Sequence, residues 1–419
     1  MQIAYESLGI ANFRLFLLTR LLMVAAFEVQ ITVIGWQLYA ITKDPFSLGL
    51  IGLAHIVPYI AVSLFSGYFA DTYNRKKLSL LFMFIVTAVS VAFWHFEQSL
   101  SVTAAFHLPF LLYGVVFAMG AIRGFLQPAL SALMPQLIPR TLYTNASSWN
   151  SNTWHLAAIG GPALGGLIYG FGGTYWAYST VWILLGLAII SLFSIKYQSV
   201  VDKSLGEPIL QSLREGMQFV SNHKIMLGAL SLDMFAVLFG GAVALIPVFA
   251  KDVLLVGPES FGFLRSSPFV GSVLMGLYLA HHPPIDESGK KLLWAVAGFG
   301  VSTILFALST NFYLSMLLLA IGGAFDNISV VIRGSIVQLV TPEQMRGRVS
   351  AFNNIFIGVS NELGAFESGL AARLLGLIPS VLFGGSMTLL VVGLYYSFLP
   401  AFRELSLRQL AEEDPNKIN

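Results

Sequence analysis

The feature that most constrains this chain is a succession of apolar runs, each long enough to form a membrane-crossing helix, with only short polar breaks between them. A helix needs about 20 apolar residues to cross a bilayer. That criterion gives twelve expected spans, at 13–40, 47–70, 77–97, 105–128, 145–170, 176–196, 224–250, 260–281, 291–309, 312–339, 348–375 and 379–400. Runs such as 179–194 show no alternation at every second residue, so the spans read as helices and not as barrel strands. Composition agrees, since only 11% of the residues are charged and 56% are hydrophobic, whereas a soluble domain carries about 25% charged residues. A soluble enzyme is excluded, and a net charge of +2 with scattered basic residues gives no footprint for nucleic acid. The chain has no cysteine, which removes disulfides, thiolate chemistry and Cys-based metal centres together. Met1 to Asn12 lacks the basic residue of a signal peptide, so the first run is expected to be a retained helix. The expected class is an all-α membrane protein.

The longest polar stretch between spans falls at mid-chain and predicts two six-helix halves, 1–196 and 224–402, joined by a linker at 197–223 and followed by a tail at 403–419. Fifteen Lys and Arg lie in the loops of one side, including Arg75, Lys76, Lys77 and Arg140, against three on the other, Lys43, Lys251 and Arg373. By the positive-inside rule both termini and the linker are expected in the cytoplasm, with the chain in the cell inner membrane. Shifting the sequence on itself by 203 residues superimposes Gly120 on Gly323, Pro139 on Pro342, Asn150 on Asn353, Gly161 on Gly364 and Gly166 on Gly369. Paired six-helix repeats are a transporter architecture, with the substrate site near the bilayer midplane.

Two motifs sharpen this reading. After the second span comes Gly67-Tyr68-Phe69-Ala70-Asp71-Thr72-Tyr73-Asn74-Arg75-Lys76-Lys77. Gly67 allows close helix contact, Asp71 can receive a helix N-terminus or an Arg, and Arg75 and Lys76 anchor the loop. The fifth span holds Gly161-Pro162-Ala163-Leu164-Gly165-Gly166, where proline breaks one backbone hydrogen bond and the glycines permit a bend and close approach. The first segment resembles motif A of the major facilitator superfamily, with Thr72 and Asn74 departing from it, and the second resembles motif C of its antiporter branches. The equivalent second-half loop, Ala280 to Glu287, has lost motif A. The stretches 36–77 and 128–170 are similar to drug exporters and enterobactin exporters of that superfamily. The resemblance implies twelve helices, alternating access, proton-driven export and a monomer, with Asp71 and its loop latching the cytoplasmic side.

An ionisable side chain inside a span is costly, about 2.5–3.5 kcal/mol on insertion scales, and is a functional candidate for that reason. Glu28 and Asp233 lie in the first and seventh spans, which are repeat partners, and head the candidates for proton exchange. Arg123 and Asp326 are related by the same 203-residue shift. Arg123 resembles the cavity arginine of the family's motif B loosely, and snorkelling is its alternative. Asp326 and Arg333 share a stripe but lie about 10 Å apart along the helix, too far to pair directly. Glu362 is preferred to Glu367, which faces elsewhere, and Arg20 and Arg265 read as snorkelling near span ends. No spacing suits a metal, a nucleophile with its base, or a phosphate loop, so neither a cofactor nor ATP is expected. The expected function is proton-coupled efflux of a small amphipathic compound, drug or siderophore. An importer or lipid or metal-complex transporter of the same fold, or a non-transporting receptor, is the alternative.

Overall fold

A single glycine divides the longest helix of this protein. The computed structural model describes residues 2–99, 107–196 and 209–412. Within them run α1 (Ala11–Thr42), α2 (Pro45–Thr72), α3 (Arg75–Ser99), α4 (Leu108–Leu133), α5 (Tyr143–Ser194), α6 (Ile209–Asn222), α7 (Lys224–Phe239), α8 (Pro258–His281), α9 (Ser288–Leu308), α10 (Phe312–Val340), α11 (Arg346–Leu375) and α12 (Leu377–Phe398). No strand occurs among the described residues. The 52 residues of α5 contain Gly173 at φ 69°, a left-handed conformation that suits only glycine, and the chain there turns from one crossing into the next.

Ten helical stretches are long and apolar enough to cross a membrane. The stretch built on α5 supplies two crossings, and α11 adds another: its 30 residues span about 45 Å, although Arg346, Arg348, Glu362, Glu367 and Arg373 lower its hydropathy. The chain is thus an all-α membrane protein of twelve transmembrane helices in two six-helix repeats. The seventh crossing is discontinuous. After α7 the chain breaks at Gly240-Gly241, makes a 3₁₀ turn at Ala242–Leu245 and continues through Pro247 into a π turn at Phe249–Val253. A Cβ on Gly240 would lie 2.3 Å from the Phe299 ring, so the break sits where α9 presses on the backbone.

Two compact units result. The first comprises 1–43, 53–209 and 257–266, and the second 44–52, 210–256 and 267–419. Each contains a short piece distant in sequence from the rest. The start of α8 packs on α5 in the first unit, where Gly262 meets Gly166 with almost no separation. The start of α2 packs on α11 in the second, where Gly49 meets Gly369. Between helices in lipid, close contact of small residues replaces the hydrophobic drive.

In the first unit α1 lies along α5, with Phe13, Ala26, Val29, Ile34 and Leu38 fully buried. In the second, Leu292, Ile332 and Ile336 form a core that extends into the segment after α12, where Phe402, Leu405, Leu407 and Leu410 are also buried. That segment is tied to the loop before α9. Leu407 donates to the Ile285 carbonyl at 3.0 Å, Gly289 donates to the Leu405 carbonyl at 3.0 Å, and Arg408 meets Asp286 at 3.1 Å. The loop that lacks motif A is therefore held by the C-terminal segment. In the same loop a 2.6 Å hydrogen bond from Lys290 holds the Glu287 carboxyl below the usual range. Phe402→Ala is expected to destabilise the second unit by about 3–5 kcal/mol, the usual cost of emptying a buried aromatic site. Thermal unfolding of the purified protein reads this as a lowered Tm.

Candidate functional site

In the first unit the motif C glycines have a specific purpose. A Cβ on Gly161 would lie 2.5 Å from the Cβ of Glu28, and one on Gly165 would lie 3.2 Å from the Val29 Cα. The missing side chains let α5 lie flat on the turn of α1 that carries Glu28. On the other flank α8 brings Arg265 to 3.9 Å from Glu28 Oε2, both side chains about one-fifth exposed. Ser266 donates to the Ile159 carbonyl at 2.7 Å and to Gly262 of its own helix at 2.9 Å. Glu28 therefore lies at the meeting of α1, α5 and α8, opposite a cation. Arg265, expected to snorkel, instead turns toward this carboxylate, because α8 starts within the first unit.

The second unit holds a tighter group. Arg333 on α10 meets Asp233 on α7 at 2.8 Å, and both side chains are buried. Ser329, one turn before Arg333, receives its Nε–H at 3.2 Å and donates to Asp233 Oδ1 at 3.4 Å. Asp326, also on α10, acts electrostatically on both Asp233 and Arg333. Asp233, Asp326, Ser329, Phe299 and Phe325 line a cavity of about 10 Å³, room for one water molecule. Asp233 is thus held by an arginine and a hydroxyl across the interface with α10. The sequence placed Asp326 and Arg333 out of reach of one another, and the arginine's ion pair is made across to α7.

The motif A loop is built from helix ends. Lys76 donates to the Phe193 and Ile195 carbonyls at 2.8 and 2.7 Å, at the end of α5. Arg75 donates to the Ala132 carbonyl at 3.4 Å, at the end of α4. The last carbonyls of a helix lack partners and carry its negative dipole end, so both cations sit where they are favoured. Asn74, in place of the motif's glycine, accepts from the Lys77 amide at 3.1 Å and starts α3. The surroundings of Gly67 and the side chain of Asp71 lie outside what the structure describes.

The remaining candidates are dispersed. Glu362 lies against α2, where a Cβ on Gly52 would come within 3.1 Å of its Oε2. It belongs to the second unit but not to the pair of Asp233 and Arg333. Arg123 on α4 makes no hydrogen bond or ion pair with the described residues, and Arg20 on α1 has a buried Nε with no partner. No group of three His, Asp or Glu suited to a metal occurs among the described residues.

Sequence reasoning missed two polar clusters in the first unit. Ser90 donates to Gln30 at 3.2 Å, Tyr178 donates to Gln37 at 2.6 Å, and Gln37 donates to Glu97 at 3.2 Å. Their signal was present as Gln30 and Gln37, one side of a helix otherwise almost wholly apolar. The repeat also reappears in the structure: Asn150 and Asn353, matched by the 203-residue shift, both carry a buried Oδ1 without a partner.

Comparison with known proteins accords with this architecture. The "Multidrug efflux pump Tap" of Mycolicibacterium fortuitum is 24% identical over 394 residues, covering 90% of this chain and 93% of that protein. The "Enterobactin exporter EntS" of Shigella dysenteriae serotype 1 is 24% identical over 343 residues, covering 81% and 80%. The crystal structure of a D-xylose-proton symporter shares the fold with a TM-score of 0.73 at 12% identity, over 94% of this chain and 99% of that one. The family model described as transmembrane secretion effector matches residues 4–417. With that match running across both repeats, the chain belongs to the transmembrane secretion effector family of major facilitator superfamily transporters.

Proposed function

We propose that this protein is a proton-coupled exporter of a small amphipathic compound, a drug or a siderophore, working by alternating access of halves 1–196 and 224–402 in the inner membrane. Both termini then face the cytoplasm, the protein acts as a monomer, and the motif A loop with Asp71 latches that side. The observation that carries the coupling is the charge balance in the second unit. Two carboxylates, Asp233 and Asp326, share one arginine, Arg333, in a site with room for one water. With both acids ionised the group bears a net charge of −1 inside the bilayer, an expensive state that one proton relieves. Asp233 holds the ion pair, so Asp326 carries the proton. Glu28, facing Arg265 at the looser distance of 3.9 Å, is the second exchanging group, since its ion pair opens with less loss. The names of the two exporters at 24% identity support the direction and the substrate class.

Inside-out vesicles containing the protein test this with norfloxacin, an amphipathic drug that carries a carboxylate, as the probe. Under an acid-inside gradient they are expected to accumulate several-fold more norfloxacin than vesicles without a gradient, and a protonophore removes the difference. Glu28→Gln lowers the gradient-driven part by at least tenfold. Equal accumulation with and without the gradient overturns the coupling.

A further inference from the structure

The two units carry opposite unbalanced charge. In the second, Asp326 is a carboxylate in excess of its arginine. The position related to it by the 203-residue shift is Arg123. In the first unit Glu28 is engaged by Arg265, which leaves Arg20 and Arg123 with no acidic partner among the described residues. Arg20 lies nine residues into α1 and Arg123 ten residues before the end of α4, about 14 and 15 Å along each axis. The two helices are antiparallel neighbours, so these guanidiniums stand at one depth, and each lies in the electrostatic field of the other.

The helix packing brings further polar groups to this level. Because Gly161 meets Ala25 and Glu28 while Gly165 meets Val29, α1 and α5 run parallel, and the same offset sets Arg20 beside the turn of α5 around His155. Arg20 Nε, Asn150 Oδ1 and His155 Nδ1 are all buried without hydrogen-bond partners. Below them an open groove of about 610 Å³ follows the hydroxyl-lined start of α5, past Ser151, Ser148 and Ser147 to Thr144. Two guanidiniums that act on one another repel, and a planar oxyanion accepting from both forks reverses that repulsion.

We propose that Arg20 and Arg123 form a binding site for the oxyanion of an amphipathic solute, a carboxylate, sulfonate or acidic phenolate. The inference rests on the transport reading above and names the substrate class for it: the first unit takes the anionic end of the compound while the second takes the proton.

Three isosteric probes test this on the full chain in phosphatidylcholine nanodiscs at pH 7: 2-naphthoate, neutral 2-naphthamide and cationic 2-naphthylmethylammonium. Calorimetric binding is expected to favour naphthoate over the other two by at least tenfold. Arg20→Gln and Arg123→Gln each erase that preference, and Arg20→Lys retains part of it. Naphthoate also raises the Tm of the native protein but not that of Arg20→Gln. A cooperative unfolding transition of unliganded Arg20→Gln near the native Tm separates a lost site from a misfolded variant. No preference for naphthoate in the native protein, or a preference untouched by both Gln variants, overturns the proposal. A lipid phosphate offers the same chemistry, so displacement of naphthoate by added phosphatidylglycerol in native protein, absent in Arg20→Gln, assigns the site to a headgroup and overturns the solute. Neither readout needs a proton gradient. Failure of coupling in vesicles therefore leaves this result standing, and the converse also holds.

Discussion

Asp326→Asn is expected to leave the protein folded and to bring gradient-driven norfloxacin accumulation down to the passive level, whereas Asp233→Asn is expected to lower stability itself. The two carboxylates share a cavity but not a role. Asp233 neutralises Arg333 at 2.8 Å, with Ser329 bonded to both. Removing one partner of a buried ion pair strands the other charge, which costs about 3–5 kcal/mol. Asp326 is the negative charge in excess, so converting it to a neutral amide relieves that excess and removes the group to which the proposed coupling assigns the proton. Thermal unfolding in detergent is expected to show a clearly lower Tm for Asp233→Asn and an unchanged or higher Tm for Asp326→Asn. The double variant Asp233→Asn/Arg333→Gln recovers part of the lost stability, because no unpaired charge remains. An unstable Asp326→Asn beside a stable Asp233→Asn would exchange the two assignments.

Gly166→Val is expected to abolish transport, and Gly161→Ala to lower it strongly. At Gly166 the new Cβ meets the Pro258 carbonyl oxygen at 2.4 Å and the Gly262 Cα at 2.8 Å. Both are backbone atoms and cannot rotate aside. The start of α8 must therefore move away from α5, carrying Arg265 from Glu28. Overpacking of this kind costs about 1–3 kcal/mol or more, and valine adds two further methyl groups to the clash. At Gly161 the obstacle is the Cβ of Glu28 at 2.5 Å. Alanine there displaces the carboxylate directly, and gradient-driven accumulation is expected to fall by at least tenfold. The neighbouring Gly160 has nothing within 4 Å of a built Cβ. Gly160→Ala, which adds the same methyl to the same helix, is therefore expected to transport normally. Loss of activity in all three variants would mean that helix flexibility, not close approach at these two positions, is what motif C provides.

These contrasts show what could be read from the chain alone. The number of crossings and the 203-residue repeat follow from local composition, since apolar length and glycine and proline positions are linear properties of a sequence. Motif C was legible as a pattern, and Glu28 as a costly charge. Their relation was not, because Gly161 and Glu28 are far apart in sequence and meet only when α5 lies on α1. The discontinuity of the seventh crossing at Gly240-Gly241 was hidden for the same reason, since its cause is the Phe299 ring arriving from α9.

Pairing of charges was the least legible property. The sequence by itself determined which ionisable groups enter the bilayer, because insertion cost depends on each residue and its neighbours along the helix. Only the tertiary structure decided which of them are balanced: Arg265 by Glu28 and Arg333 by Asp233, with Asp326, Arg20 and Arg123 left in excess among the described residues. Electrostatic energy in a low-dielectric interior depends on separations of a few ångströms across helices, and those separations are fixed by which glycines let two helices touch.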